Sequence, residues 1–319
     1  MPLGIQHRLQ YKENVSTGRR IIMRIVLMVI LIVASIAVQS VPAAESESGS
    51  APQAQRIILK WLGTAGWEIQ FAQTKTLIDP FLTRRQAVGA EEWKTDEEAV
   101  LNVISGADYI FAGHSHADHI ADIPFIAKRF GAKVIGSRTT INLCLSAGVD
   151  KAQLTTISGG EKLDFRDFSV QVIESQHGVL NRGSQKRQPR SAEITSPLSG
   201  PILGKHFVEG GSYLYYFTFG KLRLLDQSTG NFIEENLYEL QPDVAILAEN
   251  SNYDWTEAIK ILRPKTVIVH HYDDWHVPLS SGMTAAVRRR AQRLEREVKS
   301  VDRNIKVIIP EFLKTITLE

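Results

Sequence analysis

Apolar residues follow two spacings along this chain, and the two alternate. Short runs that are continuously apolar or have a period of two predict strands, and runs with a spacing of three to four predict amphipathic helices. The predicted strands span residues 57–62, 67–71, 76–79, 108–112, 133–136, 168–174, 213–219, 222–226, 243–248, 266–270 and 305–309. The predicted helices span residues 91–104, 119–130, 138–147, 230–240, 254–263 and 284–299. This alternation predicts an α/β domain over residues 56–319.

The first part of the chain has a different pattern. Residues 21–38 are an almost unbroken apolar run, and its core from Ile25 to Val38 counts 14 residues. That is short of the ~20 residues that a membrane-spanning helix needs. Small residues precede Ala44, as a signal peptidase requires. We expect residues 1–43 to be a signal peptide for export to the periplasm or the medium, with an uncleaved membrane anchor over residues 21–38 as the alternative.

Two explanations account for the length of the leader, residues 1–43. Met23-Arg24 before the apolar core would by themselves begin a signal peptide, so residues 1–22 would come from an upstream start codon. Alternatively, Arg19-Arg20 would belong to a twin-arginine export signal. Residues 44–55 lack apolar periodicity and contain Ser, Ala and Pro, which predicts a flexible linker.

The charge of the chain is mostly a property of this leader. The formal net charge is +2, and residues 1–43 carry five basic residues against one acid, a net of +4. The remaining chain therefore carries +2 minus 4, or −2. A mildly acidic domain gives no reason to expect a nucleic-acid partner. The single cysteine, Cys144, excludes an internal disulfide and is expected to be a buried small residue.

Residues 114–119 read His-Ser-His-Ala-Asp-His, which places four potential metal ligands within six positions. A predicted strand precedes this run and a helical pattern follows it, so the run is predicted to be a strand-to-helix loop. In an extended stretch, His114 and His116 face the same way and can share one ion, while the turn into the helix redirects Asp118 and His119. Imidazole and carboxylate donors suit zinc, and manganese or iron is also feasible. Two adjacent metal sites are predicted, against the alternative of a solvent-exposed histidine loop without metal.

The run matches His-x-His-x-Asp-His, and the chain resembles the metallo-β-lactamase superfamily over most of residues 57–310. The resemblance implies a four-layer αββα sandwich. Two mixed β-sheets would pack together, with helices outside and the metals at one edge. Three later residues at predicted strand ends match further ligand positions of the family: His177, Asp226 and His271.

The resemblance implies a role for each of these residues. The ligands would form two sets of three and one bridge between the ions: His114, His116 and His177; Asp118, His119 and His271; and Asp226. Asp118 would also act in catalysis, by orienting the attacking water or passing its proton onward. Asp79, in an Ile-Asp-Pro turn, would support the site by a hydrogen bond rather than as a ligand.

The last ligand position leaves a choice between two histidines, and the position before Asp226 departs from the family pattern. His270 and His271 are adjacent, and neighbouring strand residues point to opposite faces, so one of them is expected to reach the metals. We expect His271, because the family's ligand directly precedes an aromatic residue, which is Tyr272 here. The family usually carries a glycine before its bridging aspartate, and this chain has Leu225 there.

The same motifs separate branches of the superfamily. Several β-lactamases have a cysteine at the position of Asp226, and the di-iron electron-transfer branch typically has a glutamate at the position of His116. This chain is most similar to the branch of lactonases and phosphodiesterases. We expect an exported hydrolase in which a binuclear centre, most simply two Zn²⁺ with Mn²⁺ or Fe²⁺ as alternatives, activates hydroxide toward an ester, lactone or phosphodiester. The alternatives are a mononuclear iron oxygenase of the superfamily, a nuclease, or a non-catalytic metal- or ligand-binding protein.

Residues 178–205 are rich in Gly, Ser, Pro and Gln and follow His177 directly. We expect a long loop without its own secondary structure that covers the metals, and its four basic residues predict an anionic small-molecule substrate: Arg182, Lys186, Arg187 and Arg190. The alternative is a mobile, solvated loop. Trp275 and His276, close behind His271, are candidates for the wall of the pocket.

Overall fold

The computed structural model describes residues 56–85, 89–178, 180–182, 185–187, 192–228, 231–249 and 255–319. Residues Ala54–Glu319 form one compact unit. The expected signal peptide or anchor (residues 1–43) and the expected linker (residues 44–55) lie outside the described residues. Within the described ranges, no helix is both long and apolar enough to cross a membrane.

Seven strands form the first sheet: β1 (Ile57–Gly63), β2 (Gly66–Phe71), β3 (Thr74–Ile78), β4 (Tyr109–Phe111), β5 (Lys133–Gly136), β6 (Leu154–Thr156) and β16 (Thr315–Leu318). Their spatial order is β16-β1-β2-β3-β4-β5-β6. The strands from β16 to β3 pair antiparallel, and those from β3 to β6 pair parallel. The sheet is therefore mixed.

The second sheet also has seven strands: β7 (Lys162–Asp164), β8 (Ser169–Ser175), β11 (Ser212–Phe219), β12 (Leu222–Gln227), β13 (Val244–Ala248), β14 (Thr266–His270) and β15 (Lys306–Ile308). Their spatial order is β15-β14-β13-β12-β11-β8-β7. The strands from β12 to β15 are parallel, and β12, β11, β8 and β7 alternate in direction. Strands β8, β12, β13 and β14 consequently end at the same edge of this sheet.

Helices cover the outer faces of the sheets, and they are α1 (Glu97–Leu101), α2 (Ala117–Ile120), α3 (Ile123–Phe130), α4 (Arg138–Ser146), α5 (Trp255–Leu262) and α6 (Ala285–Val301). The first four pack on the first sheet in one apolar cluster. Helices α5 and α6 pack on each other, and α6 also packs on β14 of the second sheet. The four-layer αββα sandwich with two mixed sheets is confirmed.

Parts of β1 and β4 are apolar at consecutive positions because both faces of these strands are buried there. Trp61 and Phe111 belong to the core between the two sheets. Their neighbours Leu62 and Ile110 face the helical layer instead. The alternation of side chains along a strand thus distributes one apolar run over two cores.

Two predicted helices are wrong over most of their length. In the range 91–104, only Glu97–Leu101 is helical, because the preceding residues pair with a distant segment: Trp93 N donates to Ile202 O. Of the range 230–240, the structure describes residues 231–240, and these contain a 3₁₀ turn at Glu234–Asn236 in place of the predicted helix. A local periodicity cannot register such long-range pairing.

The segment 178–205 was expected to lack secondary structure, and this expectation is wrong. It contains a two-stranded hairpin, β9 (Leu180–Arg182) and β10 (Gln185–Arg187). Its later part is tied to α4, because Ile194 N donates to Thr139 Oγ1 and Arg138 forms a two-pronged ion pair with Glu193. The side chains of the four basic residues, Arg182, Lys186, Arg187 and Arg190, lie outside the described residues.

Candidate metal centre

The predicted ligand residues come together where strands of both sheets end. His114 follows β4 of the first sheet, and His116 is the N-cap residue of α2, which carries Asp118 and His119. His177 follows β8 and His271 follows β14, which end at the same edge of the second sheet. The site therefore lies between the two sheets and takes side chains from each.

The first ligand group consists of His114, His116 and His177, whose ligand atoms lie within 4.8 Å of one another. The Nε2 of His114 is 2.9 Å from the Nδ1 of His116. In His177, Nδ1 donates a hydrogen bond of 2.8 Å to the carbonyl of Gly178, which leaves its Nε2 as an acceptor. Three nitrogens thus point toward one position.

The second group consists of Asp118, His119 and His271, also within 4.8 Å of one another. The Oδ2 of Asp118 lies 3.5 Å from His119 Nε2 and 3.4 Å from His271 Nε2. Ligand atoms at zinc's usual bond lengths are about 3.3 Å apart in a tetrahedron. The separations in this group are those of a divalent cation site.

Asp79 holds His119 from the side away from the ligand atom. Its Oδ2 accepts from His119 Nδ1 at 2.8 Å, and its Oδ1 accepts from the backbone N of Gly113 at 2.7 Å. Asp79 is fully buried and has a φ of 42°, a conformation that costs free energy in a residue other than glycine. The strained turn thus fixes the ring orientation of His119, as a hydrogen-bonded carboxylate does for metal-binding histidines.

The two adjacent histidines have different surroundings. His271 joins the second ligand group, whereas His270 is buried among protein groups. Trp67 Nε1 donates to His270 Nδ1 at 3.0 Å, and His270 Nε2 donates to the carbonyl of Gln227 at 2.7 Å. Both ring nitrogens of His270 are therefore occupied, and burial lowers its pKa to about 3.

The backbone at His271 is strained, with a φ of 54°. Its amide donates to the carbonyl of Thr64 at 2.9 Å, and the amide of Thr64 donates to Asp273 Oδ1 at 2.9 Å. Asp273 Oδ2 accepts in turn from Arg84 Nη2 at 2.7 Å. This chain of contacts, which sequence reasoning missed, holds a strained ligand in place.

Asp226, the expected bridge, belongs to neither of the two groups of three. It is fully buried, and its Oδ2 accepts a 3.3 Å hydrogen bond from Ser228 Oγ. Its Oδ1 is buried without a hydrogen-bond partner among the described residues. Burial, reinforced by the Asp79 carboxylate, raises the pKa of Asp226 well above its usual value. A buried carboxylate oxygen in this position needs a proton or a nearby cation.

Burial and neighbouring charges set the protonation states of the ligand residues. Burial lowers the pKa of His114 well below its usual value, with help from His119 and His116, and burial lowers the pKa of His177 to about 4. Burial works to raise the pKa of Asp118, but His119 and His271 outweigh it and hold that pKa far below its usual value. Neutral imidazoles and an ionised carboxylate are the forms in which these side chains bind metals.

His119 is the exception. Burial opposes its protonated form, yet the carboxylates of Asp118 and Asp79 prevail and raise its pKa. A cation that binds to His119 Nε2 therefore replaces a proton there. Together with the orphaned oxygen of Asp226, the donor types and the separations fit divalent ions.

The ligand groups open into a cavity of about 520 Å³. Its lining includes the predicted wall residues Trp275 and His276. It also includes residues that sequence reasoning did not single out, namely Ala117, Gly204, Phe207, Asp273, Asp274 and Arg290. Asp273 and Asp274 follow the predicted ligand His271 by two and three positions, whereas no local signal marks Phe207 or Arg290. Gly204 places the end of the segment 178–205 at the cavity.

Comparisons with known proteins agree with this geometry. A family model described as a beta-lactamase superfamily domain matches residues 74–294. A UPF0173 metal-dependent hydrolase of Symbiobacterium thermophilum is 30% identical over 243 residues, which cover 72% of this chain and 91% of that protein. A UPF0173 metal-dependent hydrolase of Carboxydothermus hydrogenoformans is 27% identical, over 69% of this chain and 86% of that protein.

Solved structures share the fold at low identity. The metallo hydrolase Igni18 of Ignicoccus hospitalis has a TM-score of 0.56 at 19% identity, over 83% of this chain and 99% of that one. The family match covers both ligand groups and the strands that carry them. The chain thus belongs to the metallo-β-lactamase superfamily, and the expectation of a metal-dependent hydrolase of that superfamily is confirmed.

Proposed function

We propose that this protein is an exported hydrolase that binds two divalent ions, most simply Zn²⁺, and cleaves an ester, lactone or phosphodiester bond in a small molecule. The observation that carries the proposal is the pair of ligand groups, each of three residues, that open into one cavity. Two neighbouring ions supply Lewis-acid polarisation of the scissile bond and acidify a water near neutral pH.

The residues of the chain divide the remaining work. His114, His116 and His177 would hold one ion, and Asp118, His119 and His271 would hold the other; Asp226, whose buried Oδ1 has no hydrogen-bond partner among the described residues, would be a further ligand. Asp118 lines the cavity, and its Oδ2 lies among the atoms of the second ligand group, so its other oxygen, Oδ1, would orient the attacking water and pass its proton onward. Asp79 keeps His119 in its binding orientation.

The lining of the cavity favours direct attack by water. Among the described residues that line it, none is a serine, threonine or cysteine that could form a covalent intermediate. Carbonyl and phosphoryl substrates fit the same centre, since both expose an oxygen that a cation polarises. The chemistry of the site therefore supports the three bond types and favours none of them.

An oxygenase is the second candidate. A di-iron β-hydroxylase, CmlA of Streptomyces venezuelae, shares the fold with a TM-score of 0.55 at 13% identity, over 84% of this chain and 55% of that one. Histidine and carboxylate donors accept iron as well as zinc. The identity of the metal therefore distinguishes the two candidates.

The proposal of export rests on the apolar run at residues 21–38 and the small residues before Ala44. The N-terminal sequence of protein recovered from the native host tests it. A chain that begins at residue 44 outside the cytoplasm supports export, and an intact leader in the membrane fraction favours the anchor.

The test of the hydrolase combines metal analysis with turnover. Purified wild-type protein is compared with His177→Ala, His271→Ala and, as a control outside both ligand groups, His276→Ala. We expect about two zinc or manganese ions per chain in wild type and control, about one in each ligand variant, and hydrolysis of at least one member of an ester, lactone and phosphodiester panel. Iron with oxygen-dependent turnover would favour the oxygenase, and metal without turnover would favour a binding protein.

A further inference from the structure

The cavity above the ligand groups has an aromatic side. Phe207 and Trp275 line it, and both are supported from behind by other rings. Trp93 contacts Phe207 edge-on with 5.5 Å between ring centroids, and Phe81 lies 5.9 Å from Trp275. Phe81 and Trp93 also contact each other at 6.1 Å. Such a supported aromatic surface favours an apolar or planar part of a substrate.

The described lining of the cavity also includes a cation from outside the ligand region. Arg290, in the second turn of α6, contributes to the lining. Its Nε lies 3.5 Å from Glu249 Oε2, and 48% of its side chain remains exposed. Glu249 is its only ion-pair partner in the described part of the chain. The Nη groups of the guanidinium are thus available to a bound anion.

Glu249 fixes the place of this guanidinium. The carboxylate of Glu249 is 6% exposed and also contacts Arg293 Nε at 3.2 Å. Its backbone amide donates to the carbonyl of His270, the residue before the ligand His271. Arg290 is therefore attached, through Glu249, to the strand end that carries a ligand.

The acids of the cavity lining do not cancel the charge of Arg290. Asp273 is neutralised by the buried guanidinium of Arg84. Asp274 accepts from the amide and from Nδ1 of His276, at 3.0 and 3.1 Å. Asp118 belongs to the second ligand group. An anionic group that enters the cavity would consequently meet Arg290 with one acid of the described lining outside the Arg84 ion pair and the ligand groups, namely Asp274, which is 54% exposed and remains ionised.

We propose that Arg290 determines substrate specificity, and that the cavity takes substrates in which an anionic group accompanies an apolar or aromatic part. The anion contacts Arg290, the apolar part contacts Phe207 and Trp275, and the scissile bond lies at the ligand groups. The proposal rests on the proposed function for its reaction, but the binding preference is measurable without turnover.

The test compares two probes of the same shape, the anion 2-naphthoate and the uncharged 2-naphthamide. Their dissociation constants are measured by calorimetry on protein with its bound metal and again after metal removal. The variants are Arg290→Gln, Arg290→Lys, and Arg289→Gln as a matched control, because Arg289 is exposed on the same helix and does not line the cavity. Trp275→Leu examines the aromatic side.

We expect Arg290→Gln to weaken naphthoate binding about fivefold, with and without metal, and to leave naphthamide binding within twofold. Arg290→Lys should retain a preference for the anion, Arg289→Gln should match wild type, and Trp275→Leu should weaken both probes. Equal effects of Arg290→Gln on both probes, or an anion preference that disappears with the metal alone, would overturn the proposal. Preserved selectivity in a protein that hydrolyses none of the panel would contradict the proposed function and leave this inference standing.

Discussion

Arg84 and Asp273 form a 2.7 Å ion pair whose two side chains are only 2% and 1% exposed. The residues are 189 positions apart, and they join the turn after β3 to the turn after β14. Arg84 also donates to the carbonyls of Asp274 and Val277, at 2.7 and 2.6 Å. The guanidinium thus organises the loop that follows the ligand His271.

Replacement of Arg84 by methionine should therefore affect one ligand group more than the other. It leaves Asp273 as a buried charge without its partner, which should lower the free energy of unfolding by about 3–5 kcal/mol. It should also lower the metal affinity of the group formed by Asp118, His119 and His271 by about 10- to 100-fold, because His271 loses its support. Chelator competition and urea unfolding measure the two effects. Arg85→Met is the control, since Arg85 is exposed; equal loss of both ions in Arg84→Met would contradict the argument.

Asp118→Asn should separate catalysis from folding. The amide keeps the size of the side chain but cannot accept a proton, so kcat should fall by about 10²- to 10⁴-fold. The measurement is kcat on whichever substrate the panel identifies, together with metal content. If kcat fell only in proportion to lost metal, Asp118 would be a ligand without a role in proton transfer.

Gly113, directly before the ligand His114, lies against Ser228. A Cβ added at Gly113 would overlap the Cβ and Oγ of Ser228 and lie 3.0 Å from Asp79 Oδ2. Gly113→Ala should cost about 1–3 kcal/mol of stability. The double variant Gly113→Ala/Ser228→Gly should recover part of this, whereas Ser228→Ala should not, since it keeps the overlapping Cβ. Thermal or urea unfolding of the wild type, Gly113→Ala, Ser228→Gly and their double variant gives the coupling energy, and strictly additive effects would rule out the steric explanation.

The lowered pKa of His270 predicts that the stability of the fold depends on pH. Burial lowers its pKa to about 3 in the folded protein, from the usual value of about 6.5, so between these values the unfolded chain binds the extra proton. Its contribution is therefore full above pH 6.5 and declines as the pH falls toward 3. At pH 5 the loss is about 2 kcal/mol.

The variant His270→Gln isolates that contribution. Glutamine keeps an acceptor for Trp67 Nε1 and a donor for the carbonyl of Gln227 but does not titrate. Urea unfolding of metal-free protein at pH 7.5 and pH 5 should show the wild type losing about 2 kcal/mol more than the variant. Parallel losses in the two proteins would mean that His270 is not the responsible group.

The sequence was informative wherever the signal was local. The spacing of His114, His116, Asp118 and His119 indicated a strand-to-helix loop, and the structure has that loop between β4 and α2. Strand-end positions and the family resemblance pointed to His177 and His271, and the structure brings both to the same edge. Buried strands were identified because their apolar runs are nearly continuous.

The rest depends on contacts that no local pattern encodes. Arg84 and Asp273 look like ordinary charged residues until the fold brings them together. Arg290 lies in a helix with several other basic residues, and only the packing of α6 beside β14 directs it to the cavity. The predicted helix over residues 91–104 was wrong for the same reason, since Trp93 pairs with Ile202.

Each ligand group takes residues from both sheets: His114 and His116 join His177, and Asp118 and His119 join His271. Binding of an ion thus connects the two halves of the sandwich at one edge. Because neither group is complete before the halves have docked, metal binding favours the docked state by mass action. The resistance of this protein to unfolding should then be set by the free metal concentration of its surroundings, so that a chelating environment removes activity and loosens the junction of the two sheets in the same event.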